Sequence, residues 1–217
     1  HGRERTQLFL EPGNKLTINL DSRQFDESIT FSGDGSENNT YLKKRFLHQE
    51  NNGVNVIELS KLESKEYLNQ IDSLKQWELN FLKENQNISN NFINIEKKNS
   101  HYKFLQALER YPLYHEFYAK KEAVYDESFM SPLNSIDYTN QDDYILFPDF
   151  KNLVMSYYQN IFNKSDNLKE DLRKLNLSKS TIIKRDLVNQ GVYLLSAGNE
   201  KNKDLFIWNW IIFSWKL

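Results

Sequence analysis

With 217 residues but only 7 Gly and 4 Pro, the chain is long enough to bury a core yet lacks the turn residues of a many-stranded β-sandwich. Lys+Arg 28 against Asp+Glu 30 gives a formal net charge of -2. The basic residues form only short clusters at Lys43–Arg45, Lys97–Lys98 and Lys120–Lys121, which argues against a nucleic-acid partner. The absence of cysteine excludes disulfides, thiol catalysis and thiolate metal sites. Aromatic residues at 14%, charged residues at 27% and a mean hydropathy of -0.73 describe a folded chain with wide solvated faces.

The first thirty-odd residues read as β. Gln7 to Leu10 leads into the turn signal Pro12-Gly13-Asn14, after which Leu16, Ile18 and Leu20 alternate with polar residues at the period of a half-buried strand. A second strand fits Ser28 to Phe31, and Phe25, Ile29 and Phe31 are expected to pack on Tyr41 and Leu42, with Gly33 and Gly35 permitting a close reversal. Two or three strands are not stable alone, so these are expected to be the edge of a larger β-domain.

Helical patterns follow. Asp34 with Glu37, and Ser60 with Glu63, have capping-box spacing. Between and beyond them Tyr41, Leu42, Phe46 and Leu47, then Tyr67, Ile71, Leu74, Trp77 and Phe81, recur at helical intervals. A third helix carries Ile88, Phe92, Ile95, Tyr102, Leu105 and Leu108 and is expected to kink or break at Pro112, with Tyr114, Phe117 and Tyr118 continuing an aromatic face beyond it. Residues 131–141 read as a loop, and Pro148 suits a first helical position ahead of Phe150, Val154, Tyr157, Tyr158 and Ile161. Leu168, Leu172 and Leu175 mark a short helix, and Ile182, Ile183, Leu187 and Leu194 another that Gly198 can end. The fold class is therefore mainly α, with a small antiparallel β part at the N-terminus. Expected domains are residues 1–33 as a β-edge, 34–200 as a helical domain and 201–217 as a Trp-rich tail.

That tail, with Trp208, Trp210 and Trp215, is too short to span a membrane. It reads as a final helix over the core or an abnormal end, with an interfacial anchor ranking below both. None of the four histidines, His1, His48, His101 and His115, stands four residues from another, so the zinc-protease pattern is absent. His115 reads as a partly exposed helical residue. Gly33-Asp34-Gly35 reads as a strand-to-helix turn, and Asp142-Asp143 as a solvated or capping pair whose side chains diverge too far to share a proton. Sequons at Asn38, Asn87, Asn163 and Asn176 are expected by chance in so Asn-rich a chain. No catalytic, cofactor-binding or metal-ligating residue is assigned.

Residues Leu8 to Leu16 (Leu-Phe-Leu-Glu-Pro-Gly-Asn-Lys-Leu), Leu20-Asp21, Phe25 to Gly35 and Asn38-Asn39-Thr40-Tyr41-Leu42 together resemble the N-terminal extension of the TlpA-like, thioredoxin-fold thiol-disulfide reductases of the bacterial cell envelope. Tyr111 to Tyr118 and Asp142 to Pro148 are similar to the helical part of that extension, so the resemblance covers most of residues 8 to 197. It implies an envelope or periplasmic location and an accessory role beside a covalently linked thioredoxin domain or another protein partner. The redox Trp-Cys-x-x-Cys of that family has no counterpart here, so none of its catalytic residues carries over, and no reductase activity is expected without an attacking thiolate. On this reading the chain is a truncated member whose ends invite self-association. The alternative is a stand-alone helical binding module for a peptide or glycan.

Overall fold

The computed structural model describes residues 5–85, 87–163 and 180–196. The mainly helical class with a small antiparallel β part is what it shows. Packing divides the chain into two compact units, His1–Phe129 and Met130–Leu217.

In the first unit, β1 (Leu16–Asn19) pairs antiparallel with β2 (Thr30–Gly33), in register from Leu16↔Gly33 to Asn19↔Thr30. Residues 7–10 form no strand, and Phe25–Ser28 forms a helical turn, α1, in place of the start of the second strand. The alternating side chains of β1 and the residue after it do not line a buried face: Ile18 and Leu20 are exposed, because a two-stranded ribbon has little to pack against. Gly33, at φ 95°, could not be replaced without strain, since a Cβ there would overlap the Lys15 carbonyl oxygen across the ladder.

Helix α2 (Ser36–Asn52) starts after Gly35 at φ 73°, not on an Asp34 cap. Asp34 turns the other way, and its Oδ2 accepts from the Lys15 N–H at 3.1 Å, latching the hairpin. Helix α3 (Val56–Ser60) is capped by Asn55, whose Oδ1 accepts from the Ile57 and Glu58 N–H groups. The second expected capping box fails too. Ser60 ends α3, donating its hydroxyl to the Val56 carbonyl, and Glu63 precedes α4 (Ser64–Glu84) without a side-chain cap.

Helix α5 (Asn90–Ala119) opens on a Ser89 cap and runs through Pro112. Proline removes one intrahelical bond, a cost of roughly 3 kcal/mol. Leu108, Tyr111, Tyr114 and His115 are all buried around it, and their burial, at about 1.5–3 kcal/mol for each large apolar side chain, outweighs that loss. Helices α4 and α5 lie antiparallel. Leu82 and Phe92 share a core near their connection, Lys103 meets Glu78 midway, and the Tyr67 hydroxyl donates to the Ala107 carbonyl at 2.9 Å further along.

The core of this unit gathers Tyr41, Leu42, Leu82 and Phe92, with Phe9 and Phe81 against it. Ile29 is buried and Phe31 half-buried, and β2 packs on α2 as expected. The ring partners of Tyr41, however, are Phe81 and Phe92, and Phe9 meets Phe92 edge-on at 5.0 Å. Arg45 pairs with the buried Glu96 and ties α2 to α5.

The short helix α6 (Glu127–Met130) closes the first unit, and the second opens with a single 3-10 turn at Ser131–Leu133 followed by α7 (Gln141–Leu146). Asn140 caps α7, accepting from the Asp143 N–H and donating to the Asp143 carboxylate, so the acidic pair serves the helix start. Helix α8 (Pro148–Asn163) begins on its proline as the sequence predicts and buries Phe150, Leu153, Val154 and Tyr158. Helix α9 (Thr181–Ser196) buries Ile183 and Leu187, and the Ser180 hydroxyl accepts from the Ile183 N–H and donates to Gln141. The helix expected around Leu168 to Leu175, the stop at Gly198 and the Trp-rich tail lie outside the described residues.

Asp186 on α9 accepts from the Tyr144 hydroxyl at 3.1 Å and from Lys151 at 3.0 Å. Burial alone would raise its pKa. The Lys151 hydrogen bond and charge, with Tyr144 and Arg185, overcome that and hold it below the usual carboxylate range. A depressed carboxylate contributes stability that is present above its unfolded pKa of about 3.9 and is lost as pH falls through the folded value. Amide exchange of α9 should therefore accelerate, relative to intrinsic rates, between pH 5 and pH 3. Asp186→Asn should flatten that change, and an equally steep response in the variant would remove Asp186 as its source.

Candidate functional site

The first unit holds an apolar cleft of about 380 Å³, near the lower end of volumes typical for small-ligand sites. Four helices contribute. The C-terminal end of α2 brings His48, the α2–α3 connection and α3 bring Val54 and Val56, and α4 and α5 form the long walls. The spacing of the wall residues explains the shape. On α4, Tyr67, Ile71, Leu74 and Glu78 recur every three or four residues, and on α5 so do Ser100, Phe104, Ala107, Arg110 and Tyr114. From Ser100 to Tyr114 that face runs about 21 Å, so the cleft follows the helix pair.

Local features hold the mouth open to one side. Gly53 follows the last turn of α2, and any Cβ there would overlap the Gln49 carbonyl oxygen, so the chain can leave α2 tightly and place Val54 at the rim. Val54, Val56 and Leu74 are exposed at this place, although each is apolar. The Trp77 indole lies near-parallel to the His48 ring at 4.2 Å and to the Phe81 ring at 5.2 Å, so it is already stacked within the protein.

Few polar groups reach the cleft. Glu78 accepts from Lys103 at 2.5 Å and from the Gln49 amide at 3.2 Å. Lys75 lays its ammonium over the Phe104 ring, 4.4 Å from the centroid. Tyr67 is buried against Tyr111 with centroids 4.5 Å apart, and burial first of all pushes its hydroxyl pKa up. For Tyr111 burial, aided by the Glu63 and Tyr125 charges, raises the pKa to about 12, and its hydroxyl donates to the Leu62 carbonyl at 3.0 Å. Both phenols are held as neutral donors, fitted to structure and not to proton abstraction.

The histidines fall in different places. His48 stacks in the cleft, and His101 is exposed on α5. His115 is fully buried, contrary to the partly exposed reading, with Nδ1 3.0 Å from the Ser60 carbonyl. Its burial follows from the continuation of α5 past Pro112, which carries it onto α3. His1 lies outside the described residues. Among the described residues no three His, Asp or Glu side chains converge as a metal site, and no helix is long and apolar enough to cross a membrane.

Of the residues that carry the family resemblance, Tyr114 lines the cleft, while those of the N-terminal part occupy another place. Asn39 accepts from the Phe9 N–H at 2.8 Å and donates to the Phe9 and Gly35 carbonyls at 2.9 and 2.8 Å. Asn38, also buried, accepts from the Ser89 N–H at 3.0 Å. These are joints of the scaffold. Sequence patterning did not single out the cleft: its α4 residues were legible as a core stripe, but Val54 and Val56 sit in a short segment without periodicity. Comparison with protein-family models, with curated proteins and with solved structures finds no match for the chain in any of the three.

Proposed function

We propose that the chain is a non-catalytic helical binding module whose first unit takes an apolar peptide segment into the cleft between α2, α3, α4 and α5. The observation that carries this reading is a 380 Å³ cleft with exposed Val54, Val56 and Leu74 at its mouth and few polar groups inside. Such a lining fits aliphatic or aromatic side chains, which gain about 25 cal/mol per Å² removed from water. A glycan fits less well, because the Trp77 face that would stack on a sugar ring is covered by His48. The absence of cysteine, and the binding of the buried tyrosines to backbone carbonyls, favour a role without catalysis.

The physiological setting that fits the resemblance is the accessory region of a TlpA-like thioredoxin-family protein in the bacterial cell envelope, holding a partner segment near a redox domain supplied by the parent protein or by a partner. Its support is the set of quoted residues, of which Phe9, Gly33, Gly35 and Asn39 build the hairpin-to-helix joint.

Calorimetric titration with the capped peptide acetyl-Leu-Phe-Val-Leu-amide tests the cleft. Ala107→Phe adds a ring to the α5 wall and leaves the carbonyl that receives the Tyr67 hydroxyl. Binding should weaken by at least about tenfold, equivalent to roughly 1.4 kcal/mol. Unchanged affinity in a variant with the parent circular dichroism would move the site elsewhere.

A further inference from the structure

We propose that the cleft selects an apolar ligand bearing one carboxylate, with Lys75 as the group that pairs with it. This rests on the cleft being the binding site. Among the described residues lining it, Glu78 is the one acid, against Lys75, Lys103 and Arg110. Glu78 is already engaged by Lys103 and Gln49, so the acid and one lysine offset each other. Lys75 differs. The residue is half-buried, and its ammonium is held over Phe104 and has no carboxylate or hydrogen-bond partner among the described residues.

A cation fixed over a ring at the edge of an apolar wall is already partly desolvated and positioned, so an incoming anion need not order a free side chain. Arg110 is engaged elsewhere, its guanidinium 5.8 Å from the Tyr114 ring centroid, so the single charge that Lys75 offers suits a monoanion, and a carboxylate is the monoanion most simply joined to an apolar chain. Two further polar atoms on α5, Ser100 Oγ and Gln106 Nε2, are buried without a hydrogen-bond partner, and both belong to residues of the cleft wall within about one turn of Phe104. Buried donors left unpaired are costly, and a carboxylate has oxygen lone pairs to accept from them. The same chemistry is presented by the free C-terminus of an apolar peptide and by a fatty acid.

Calorimetry on the whole chain at low ionic strength distinguishes these sources. The probes are acetyl-Leu-Phe-Val-Leu as the free acid, the same peptide as its amide, and dodecanoate. The free acid should bind about fivefold more tightly than the amide, as one partly exposed ion pair allows, and salt should erode the difference. Lys75→Met, which keeps an apolar stem over Phe104, should abolish the preference, and Lys75→Arg should retain it. Dodecanoate binding that depends on Lys75, with both peptides silent, would uphold the carboxylate site and sink the peptide reading. Equal affinity for acid and amide, or a preference that survives Lys75→Met, would overturn the inference and leave the cleft as a peptide site. No binding of any probe would overturn both.

Discussion

Phe92→Ala should cost the first unit about 3–5 kcal/mol, among the largest effects expected of any single apolar truncation in it. Phe92 is fully buried at the start of α5, where the Tyr41 ring meets it at 5.5 Å and the Phe9 ring at 5.0 Å, both edge-on. Removing the ring loses its transfer free energy, leaves a cavity that three different segments would have to collapse to fill, and forfeits two aromatic contacts of about 0.5–1.5 kcal/mol each. Because a domain's whole stability is typically about 5–15 kcal/mol, the variant should be only marginally folded at room temperature. Urea denaturation followed by circular dichroism gives the measurement, with Phe92→Leu as the milder companion. A loss under about 1 kcal/mol for the alanine variant would mean that these rings do not pack as a core.

The helices were legible where a single stripe decides their position. Tyr67, Ile71 and Phe81 recur on α4, and Phe150 and Val154 on α8, because each helix buries one face against its neighbours. Local rules misled at three joints, for a common physical reason. The Asp34 carboxylate could cap a helix or latch the hairpin, and the Lys15 N–H won. Ser60 could begin a helix or end one, and Asn55 had already capped the turn before it. Pro112 breaks an isolated helix, but here the buried faces on either side are continuous. At Asp34 and Pro112 partners distant in sequence settled a choice that local spacing left open, whereas at Ser60 a rival cap five residues earlier did so.

The cleft was harder to read for a related reason. Its α4 wall reads as an ordinary core stripe, and its α5 wall includes Ser100, Gln106 and Arg110, which break an apolar pattern. That break is the available signal. Polar residues at positions that periodicity assigns to a buried face point either to partners across the core or to a surface left open between helices, and only coordinates separate the two. Lys75 carries no sequence signal at all, since a lysine on an amphipathic helix is ordinarily solvated. What sets it apart is the Phe104 ring beneath it, on a helix 29 residues further along the chain.

Asn39→Ala should destabilise the first unit by about 2–4 kcal/mol without weakening ligand binding by the fraction that stays folded. Asn39 is 0% exposed, and its one amide group pairs with the Phe9 N–H, the Phe9 carbonyl and the Gly35 carbonyl. Alanine would leave these backbone groups partly buried and unpaired, which costs more than the bonds themselves were worth. The pairing with Phe9 also sets where that ring enters the core against Phe92, so the loss should couple to Phe92→Ala: the double variant should lose less than the sum of the singles. Urea denaturation of the three variants gives the coupling, and titration with the apolar peptide below the transition reads the cleft separately. Strict additivity would show that Asn39 does not hold Phe9 in place. A large drop in peptide affinity at full folding would show that Asn39 serves the site as well as the scaffold, because nothing in the geometry places it among the cleft walls.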